Sequence, residues 1–397
     1  MGNSAIAKLW KTKFSRKILS IIFDEAHCIS YWGDFRSEYK YLGDLRFQIN
    51  NEIPFYAVSA TLPPPVMADI KGALHLRDGR TVHLQRTVNR PDISLMVHPF
   101  TYTISSFCDL DFLVPKIPDG YKEGDELTVR KFVVFFDSMM HAQQAVKHLQ
   151  SLLPDALKHK IIWFHSTMTP EFRKDATASF RDSDLWGLCA TDAFGMVSAL
   201  YIVLERYKCL PVARTASLKG MDLPDIEIVV QWKATCTLCT LWQRFGRGAR
   251  GNGYRTTAIL LVEKKHIHLP GDADPVEEAS KAEKSVRKKR KASTDIQPES
   301  FKRPALSDRS INVSHAPQVM VEIERGCKGI SDVSAVPHSA IAECHRRYAR
   351  LEIGSKKGKN DAFVKGSAMD DYINAQYLFN CRRDVLKVYF NPDECRK

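Results

Sequence analysis

The strongest chemical signal in this chain is a pair of adjacent carboxylates closing an apolar run, Ile21-Ile22-Phe23-Asp24-Glu25. A strand that delivers both groups to its tip can hold a divalent cation on the β- and γ-phosphates of a nucleotide with one and orient or deprotonate the attacking water with the other. Asp24 is therefore the expected Mg²⁺ ligand of a bound ATP, and Glu25 the partner of the water. The alternative is that the pair caps the next helix. Arg247 and Arg250 supply matching cations in Gln243-Arg244-Phe245-Gly246-Arg247-Gly248-Ala249-Arg250. Three apart and beginning beside glycine, they lie on one side of a helical turn and can reach a γ-phosphate across a cleft, where a cation stabilises transition-state charge. A basic helix that meets nucleic-acid phosphate is the other reading. Trp32 and Phe35 can stack bases while Arg36 meets phosphate. Those rings could instead be core, but the interleaved Ser30, Gly33, Asp34 and Arg36 argue against a buried face.

The elements that must position these groups alternate. Phe132 to Phe136 reads as a buried strand, Ser138 to Leu152 as an amphipathic helix, Ile161 to His165 as a strand, and Thr256 to Val262 as the strand that closes the sheet. Such alternation predicts an α/β fold whose parallel sheets have right-handed crossovers.

Asp24-Glu25-Ala26-His27-Cys28-Ile29-Ser30, with Trp32-Gly33-Asp34-Phe35-Arg36 and Tyr39 after it, resembles motif II and the aromatic-rich loop of the RecQ family of DNA helicases. The resemblance implies catalytic roles across Asp24, Glu25, Ala26 and His27, and a loop that couples single-stranded DNA to ATP turnover. Val58-Ser59-Ala60-Thr61-Leu62 matches motif III, so Ser59, Ala60 and Thr61 are implied, with Gln243 of motif VI, to couple the nucleotide site to lobe movement. Asn89-Arg90-Pro91-Asp92-Ile93 looks like the passage between lobes. Phe164-His165-Ser166-Thr167-Met168 resembles the segment that meets the DNA backbone, although His165 also reads as a satisfied loop histidine. Cys189 to Met196, with Thr191 and Asp192 as nucleic-acid-binding candidates, is the front half of motif V. The family usually has Gln-Glu-x-Gly-Arg-Ala-Gly-Arg in motif VI, so Arg244 and the Gly248-Ala249 order depart from it. Cys381-Arg382-Arg383 through Phe390 resembles the start of the RecQ zinc-binding subdomain. Only Cys381 sits on a recognisable ligand position and Cys395 is at uncertain register, so an incomplete zinc site is expected. A lone Cys236-x-x-Cys239 reads as coincidence.

The continuation of motif V, Gly220-Met221-Asp222-Leu223-Pro224-Asp225, arrives only after 23 residues, Val197 to Lys219. Their removal joins Met196 to Gly220 as Ala-Phe-Gly-Met-Gly-Met-Asp. Every valine codon begins GT and one lysine codon ends AG, the boundary dinucleotides of a spliceosomal intron, so the segment reads as a retained intron. The other reading is a genuine insertion, against which the apolar Leu200-Tyr201-Ile202-Val203-Leu204 argues, having no evident partner. The expected organisation is a partial first RecA-like lobe at 1–92, a second lobe at 93–265 containing 197–219, a disordered basic linker at 266–320, and a C-terminal region at 321–397.

Composition fits this reading. The 397 residues have 44% hydrophobic content, ample for cores, and a net charge of +12 favours a polyanionic partner. No stretch of about 18 apolar residues is present, and no membrane partner is expected. Ten scattered cysteines read as reduced intracellular thiols. Lys281 to Arg303 holds nine Lys or Arg against three acidic residues; its core, Arg287-Lys288-Lys289-Arg290-Lys291, reads as a nuclear import signal or as a solvated linker that grazes DNA. No Gly-rich P-loop is found. Gly354-Ser355-Lys356-Lys357-Gly358-Lys359-Asn360 has its glycines one residue too close and Asn360 in place of the metal-binding hydroxyl. The resemblance implies a nuclear, ATP- and Mg²⁺-dependent 3′-to-5′ helicase acting on single-stranded or branched DNA in repair and recombination, here incomplete. The alternatives are a non-catalytic nucleic-acid-binding remnant or gene-model fragment, and an RNA helicase.

Overall fold

The computed structural model describes residues 17–32, 42–48, 53–77, 79–122, 125, 127–192, 199–204, 208–214, 223, 225–251, 253–268, 343–348, 366–375 and 381–390, with backbone alone at 31–32, 199–204 and 208–214.

The apolar run Ile18–Asp24 is β1, which buries Ile18, Ile21 and Phe23. The chain turns through Glu25, at φ +49°, into α1, His27–Trp32. Phe55–Ala57 forms β2, parallel to β1 with Ile21 opposite Phe55 and Phe23 opposite Ala57. Pro64–Ala73 is α2, with proline in its first turn where a missing N–H costs nothing, and it buries Val66 and Ile70 against β1 and α1. Ser30 Oγ donates to Asp69 Oδ2 at 2.6 Å, tying α1 to α2.

Beyond Asp92 the chain forms β3 (Ile93–Pro99), β4 (Phe132–Phe135), α3 (Met139–Ser151), β5 (Ile161–Phe164), α4 (Pro170–Arg181), β6 (Gly187–Ala190), β7 (Ala199–Leu204), β8 (Lys208–Arg214), β9 (Ile228–Trp232), α5 (Leu238–Phe245) and β10 (Thr256–Val262). Six of these strands make a parallel sheet in the order β3-β10-β9-β4-β6-β5. Its strands are apolar on both faces because both are covered. Along β4, Val133 and Phe135 enter one core while Phe132, Val134 and the following Phe136 enter the other. Hydroxyls start the helices: Ser138, Thr169 and Thr237 accept from the N–H of His141, Phe172 and Thr240. On α3, Ala142, Ala145, Val146 and Leu149 keep helical spacing and are buried. All the expected strand and helix bounds agree with this lobe to within one residue. This six-stranded sheet is of the parallel α/β class that the alternation predicts.

The segment expected to lack a partner has one. β7 pairs antiparallel with β1, from Ile18 opposite Leu204 to Asp24 opposite Ala199, and β8 pairs antiparallel with β7. The first sheet thus runs β2-β1-β7-β8 and is mixed rather than parallel. The physical reason is the open side of β1: its N–H and C=O groups offer a template that a β-prone apolar run can satisfy.

The described residues up to Ile267 and those at 343–390 belong to one compact unit. Two helices near the end of the chain, α6 (Ala368–Ile373) and α7 (Arg382–Phe390), put Met369, Tyr372, Ile373, Val385, Leu386 and Tyr389 into the same core cluster as Val133, Leu241 and Phe245. Arg383 donates to the carbonyls of Arg90 (2.9 Å) and Ile93 (2.6 Å) and to Asn89 Oδ1 (2.8 Å), fastening α7 to the passage between the lobes. Among the described residues no helix is long and apolar enough to cross a membrane.

Candidate active site

The tips of β1 and β2 bring the first half of the site together. Val58 N donates to Phe23 O (2.9 Å) and Ala26 N to Val58 O (2.8 Å), so the ladder continues past both strands and sets Ser59 to Thr61 beside Asp24 to His27. Asp24 Oδ1 accepts from Glu25 N at 3.0 Å. Burial raises the Asp24 pKa above the usual carboxylate value; the Glu25 hydrogen bond lowers it in part, and the Glu25 charge raises it further. Glu25 sits in the left-handed region, which costs a residue with a side chain roughly 1 kcal/mol. Its Oε2 is buried without a hydrogen bond: His27 Nδ1 lies 3.2 Å away but is not aligned for one.

His27 is buried and central. Its Nδ1 is 2.9 Å from Ser59 Oγ, and its Nε2 is 3.2 Å from Gln243 Nε2 of α5 in the second lobe. Gln243 Nε2 also donates to Thr61 Oγ1 at 2.8 Å. With the Gln243 amide donating to both, His27 Nε2 must be the bare ring nitrogen, which leaves the ring proton on Nδ1, facing Ser59 and Glu25. Ser59, Thr61 and Gln243 are thus in direct contact around His27, while Ala60 is exposed.

The arginines separate. Arg247 is half-buried and its pKa falls to about 10, mainly because burial disfavours the charge and also because Arg250 repels it; Glu25 acts the other way and is therefore within electrostatic reach. Arg250 is exposed and donates from Nε to Gly246 O at 3.1 Å. The departures in motif VI acquire reasons. A Cβ on Gly248 would stand 2.3 Å from Thr256 Oγ1, so this position takes glycine, and Ala249 adopts φ +51° while its carbonyl accepts from Arg90 at 2.6 Å.

Arg244, read from sequence only as a departure, is the hub of the second lobe's site. It is 3% exposed and donates to Asp192 Oδ1 from Nε (2.9 Å) and Nη2 (2.6 Å), to Asp137 Oδ1 (2.7 Å) and to Gln231 Oε1 (2.5 Å). Burial opposes the charge, but Cys236, Asp192 and Asp137 more than offset it and hold the pKa above that of ordinary arginine. Asp192 is therefore committed to Arg244, while Thr191 continues the sheet by donating from N to Phe164 O at 3.1 Å. His165 is buried between Thr167 Oγ1 (2.8 Å) and Gln143 Nε2 (3.4 Å), the satisfied loop histidine of the second reading. Sequence signals for this hub existed: Gln231 is polar inside the apolar strand Ile228–Trp232, and Asp137 follows the apolar strand of β4 directly.

Trp32 closes α1. Phe35, Arg36, the run Arg287 to Lys291, Gly354 to Asn360 and Cys395 lie outside the described residues. Cys381 is half-buried at the start of α7, where its carbonyl accepts from Asp384 N at 3.1 Å, and among the described residues it joins no cluster of metal-ligating groups. Burial pushes the Cys236 thiol up to about 12, which keeps it protonated and unsuited to a metal at neutral pH.

Residues 118–252 match the helicase conserved C-terminal domain. The chain is 27% identical over 240 residues to the ATP-dependent helicase SGS1 of Saccharomyces cerevisiae, covering 60% of this chain and 14% of that protein. It is 27% identical over 265 residues to the ATP-dependent DNA helicase Q-like 4B of Arabidopsis thaliana, covering 65% and 19%, and 26% identical over 252 residues to the probable ATP-dependent DNA helicase RecS of Bacillus subtilis, covering 63% and 41%. Over these residues the chain is similar to RecQ-family, superfamily-2 helicases. It spans less than half the length of those relatives. Glu25 Oε2, buried without a hydrogen bond, and the burial-raised Asp24 are a donor pair that fits a divalent cation and a water at the tip of β1.

Proposed function

We propose that this chain carries the metal-carboxylate and arginine-finger parts of an ATP-driven motor that separates DNA strands in the 3′-to-5′ direction. The observation that supports this most directly is the Gln243 bridge to Thr61 and His27, which joins α5 to the tip of β1 and sets Arg247 within electrostatic reach of Glu25. Asp24 would hold Mg²⁺. That ion, when bound with ATP, would neutralise charge on the β- and γ-phosphates. Glu25 orients the attacking water, Arg247 stabilises the charge that develops on the γ-phosphoryl group, and Arg250 assists from the same turn. Through Gln243, His27 and Thr61 relate the occupancy of the site to the spacing of the lobes. Trp32, Phe35 and Arg36 meet single-stranded or branched DNA, as does Thr191 from the second lobe, with Asp192 positioned by Arg244.

The 397 residues contain no P-loop, so we propose that by themselves they bind nucleic acid without turning over ATP. A non-catalytic DNA-binding role is the second reading, favoured by that gap. The segment Val197 to Lys219 is proposed to be absent from the mature protein. Arg287 to Lys291 is proposed to direct the chain to the nucleus, which fusion of this run to a cytosolic fluorescent protein tests.

The deciding experiment joins an upstream RecQ-type phosphate-cradle segment to this chain and assays strand separation on tailed duplexes. Duplex DNA with a 3′ tail should open, and Glu25→Gln should abolish opening. Opening only of 5′-tailed DNA, or of duplex RNA in preference to DNA, would overturn the reading.

A further inference from the structure

The 3₁₀ segment Cys108–Leu113 takes no part in the site above, yet it is firmly mounted on the second lobe. Phe107 stacks on Trp232 with centroids 5.3 Å apart, and Leu110 and Leu113 are buried in one cluster with Ala142, Ala145, Val146 and Leu149 of α3. Asp109 fixes its start by accepting from Thr101 N (2.8 Å) and Tyr102 N (3.1 Å). This mounting presents Cys108 and Asp111, which eclipse one another at the three-residue period of a 3₁₀ helix, to His148 of α3. The thiol, a carboxylate oxygen and a ring nitrogen all lie within 4.8 Å of one another, and Asp111 Oδ1 is 2.6 Å from His148 Nε2.

We propose that Cys108, Asp111 and His148 bind Zn²⁺. The donor set selects the metal: Mg²⁺ and Ca²⁺ take oxygen ligands, whereas thiolate with imidazole suits a borderline-soft ion. At zinc bond lengths of about 2.0–2.3 Å, tetrahedral ligand atoms stand roughly 3.3–3.7 Å apart. The Asp111–His148 pair therefore opens slightly as the ion takes the place of the proton between them, which moves to Nδ1 of a neutral ring or to solvent from a protonated one, and Cys108 closes on the ion. The Cys108 thiol proton leaves to solvent, His148 binds as neutral imidazole, and thiolate plus carboxylate balance the charge of the ion, so affinity falls as pH is lowered. Three protein ligands leave one position for water. The ion staples the 3₁₀ segment to α3, at a place distinct from Cys381.

The test titrates the reduced, metal-free full chain with Co²⁺, a spectroscopic stand-in for Zn²⁺ whose bond to a thiolate gives a charge-transfer absorption. The wild type should show this band at one Co²⁺ per chain, and Zn²⁺ should bleach it. Cys108→Ser should lose the band, Asp111→Asn and His148→Gln should weaken binding by roughly 10–100-fold or more, and Cys381→Ser should change nothing. A band that survives Cys108→Ser, or the absence of any thiolate-bound cobalt in the wild type, would overturn the site. Should a variant fail to fold, X-ray absorption of the zinc-loaded wild type decides instead. One sulfur in the shell supports the assignment and two or more refute it.

Discussion

Replacing Arg244 by methionine should be among the most damaging single changes in the second lobe, although Arg244 is implied to touch neither nucleotide nor DNA. The substitution keeps much of the apolar stem and removes four hydrogen bonds, two to Asp192 and one each to Asp137 and Gln231. Breaking a fully buried ion pair costs about 3–5 kcal/mol. Asp137 and Asp192 are 34% and 52% exposed, so once freed they regain water and the cost falls below that range. Gln231 has no such recourse: it is fully buried, and stranding its Oε1 costs about 1–3 kcal/mol. The sum is about 3 kcal/mol, or a fall in Tm of about 6–12 °C for a lobe of this size. Arg244→Lys keeps a charge but loses the planar fork that reaches three partners, and should lose about half as much. Urea and thermal unfolding followed by tryptophan fluorescence would measure both. The Asp192→Asn and Arg244→Met double variant should be less destabilised than the sum of the singles, because they remove the same pair. An Arg244→Met chain within about 0.5 kcal/mol of wild type would refute the assignment of Arg244 as the hub.

Two neighbouring positions in motif VI should respond in opposite directions. Ala249→Gly relieves a left-handed alanine and should stabilise by about 0.5–1 kcal/mol, whereas Gly248→Ala drives a methyl into Thr256, itself pinned by a hydrogen bond to Ile226 O, and should destabilise by about 1–3 kcal/mol; both are read by thermal melts. For Val197 to Lys219, transcript reads should join the Met196 codon directly to the Gly220 codon, and the shortened chain should be the more soluble; uniformly unspliced reads with a lower-melting deletion variant would make β7 and β8 native strands of the first sheet.

Local chemistry explains how much of this was legible in sequence. Apolar periodicity gave four of the second lobe's elements, β4, α3, β5 and β10, to within one residue, because each is decided within a few neighbours. The acidic pair at the tip of β1 was legible for the same reason. Contacts across the chain were not. Nothing local in Gln243 says that its amide reaches His27 and Thr61, and the partner of β7 depends on an open strand edge far away in sequence. The Arg244 hub left a fainter trace, a glutamine inside a buried strand and an aspartate just beyond another. The helices α6 and α7 carry apolar faces, but only the folded lobe shows that these complete its core and that Arg383 fastens them.

The central claim is that Glu25 and Arg247 serve one phosphate-cleaving site that needs a P-loop these residues do not contain. DNA-stimulated ATP hydrolysis measures it most directly, on the 397-residue chain and on the same chain joined to an upstream phosphate-cradle segment. The account predicts background turnover from the first. From the second it predicts turnover that is abolished in Glu25→Gln and falls about 10³-fold or more in Arg247→Ala. Robust hydrolysis by the 397-residue chain alone, lost in Glu25→Gln, would contradict it, as would a joined chain whose turnover is unchanged in Arg247→Ala.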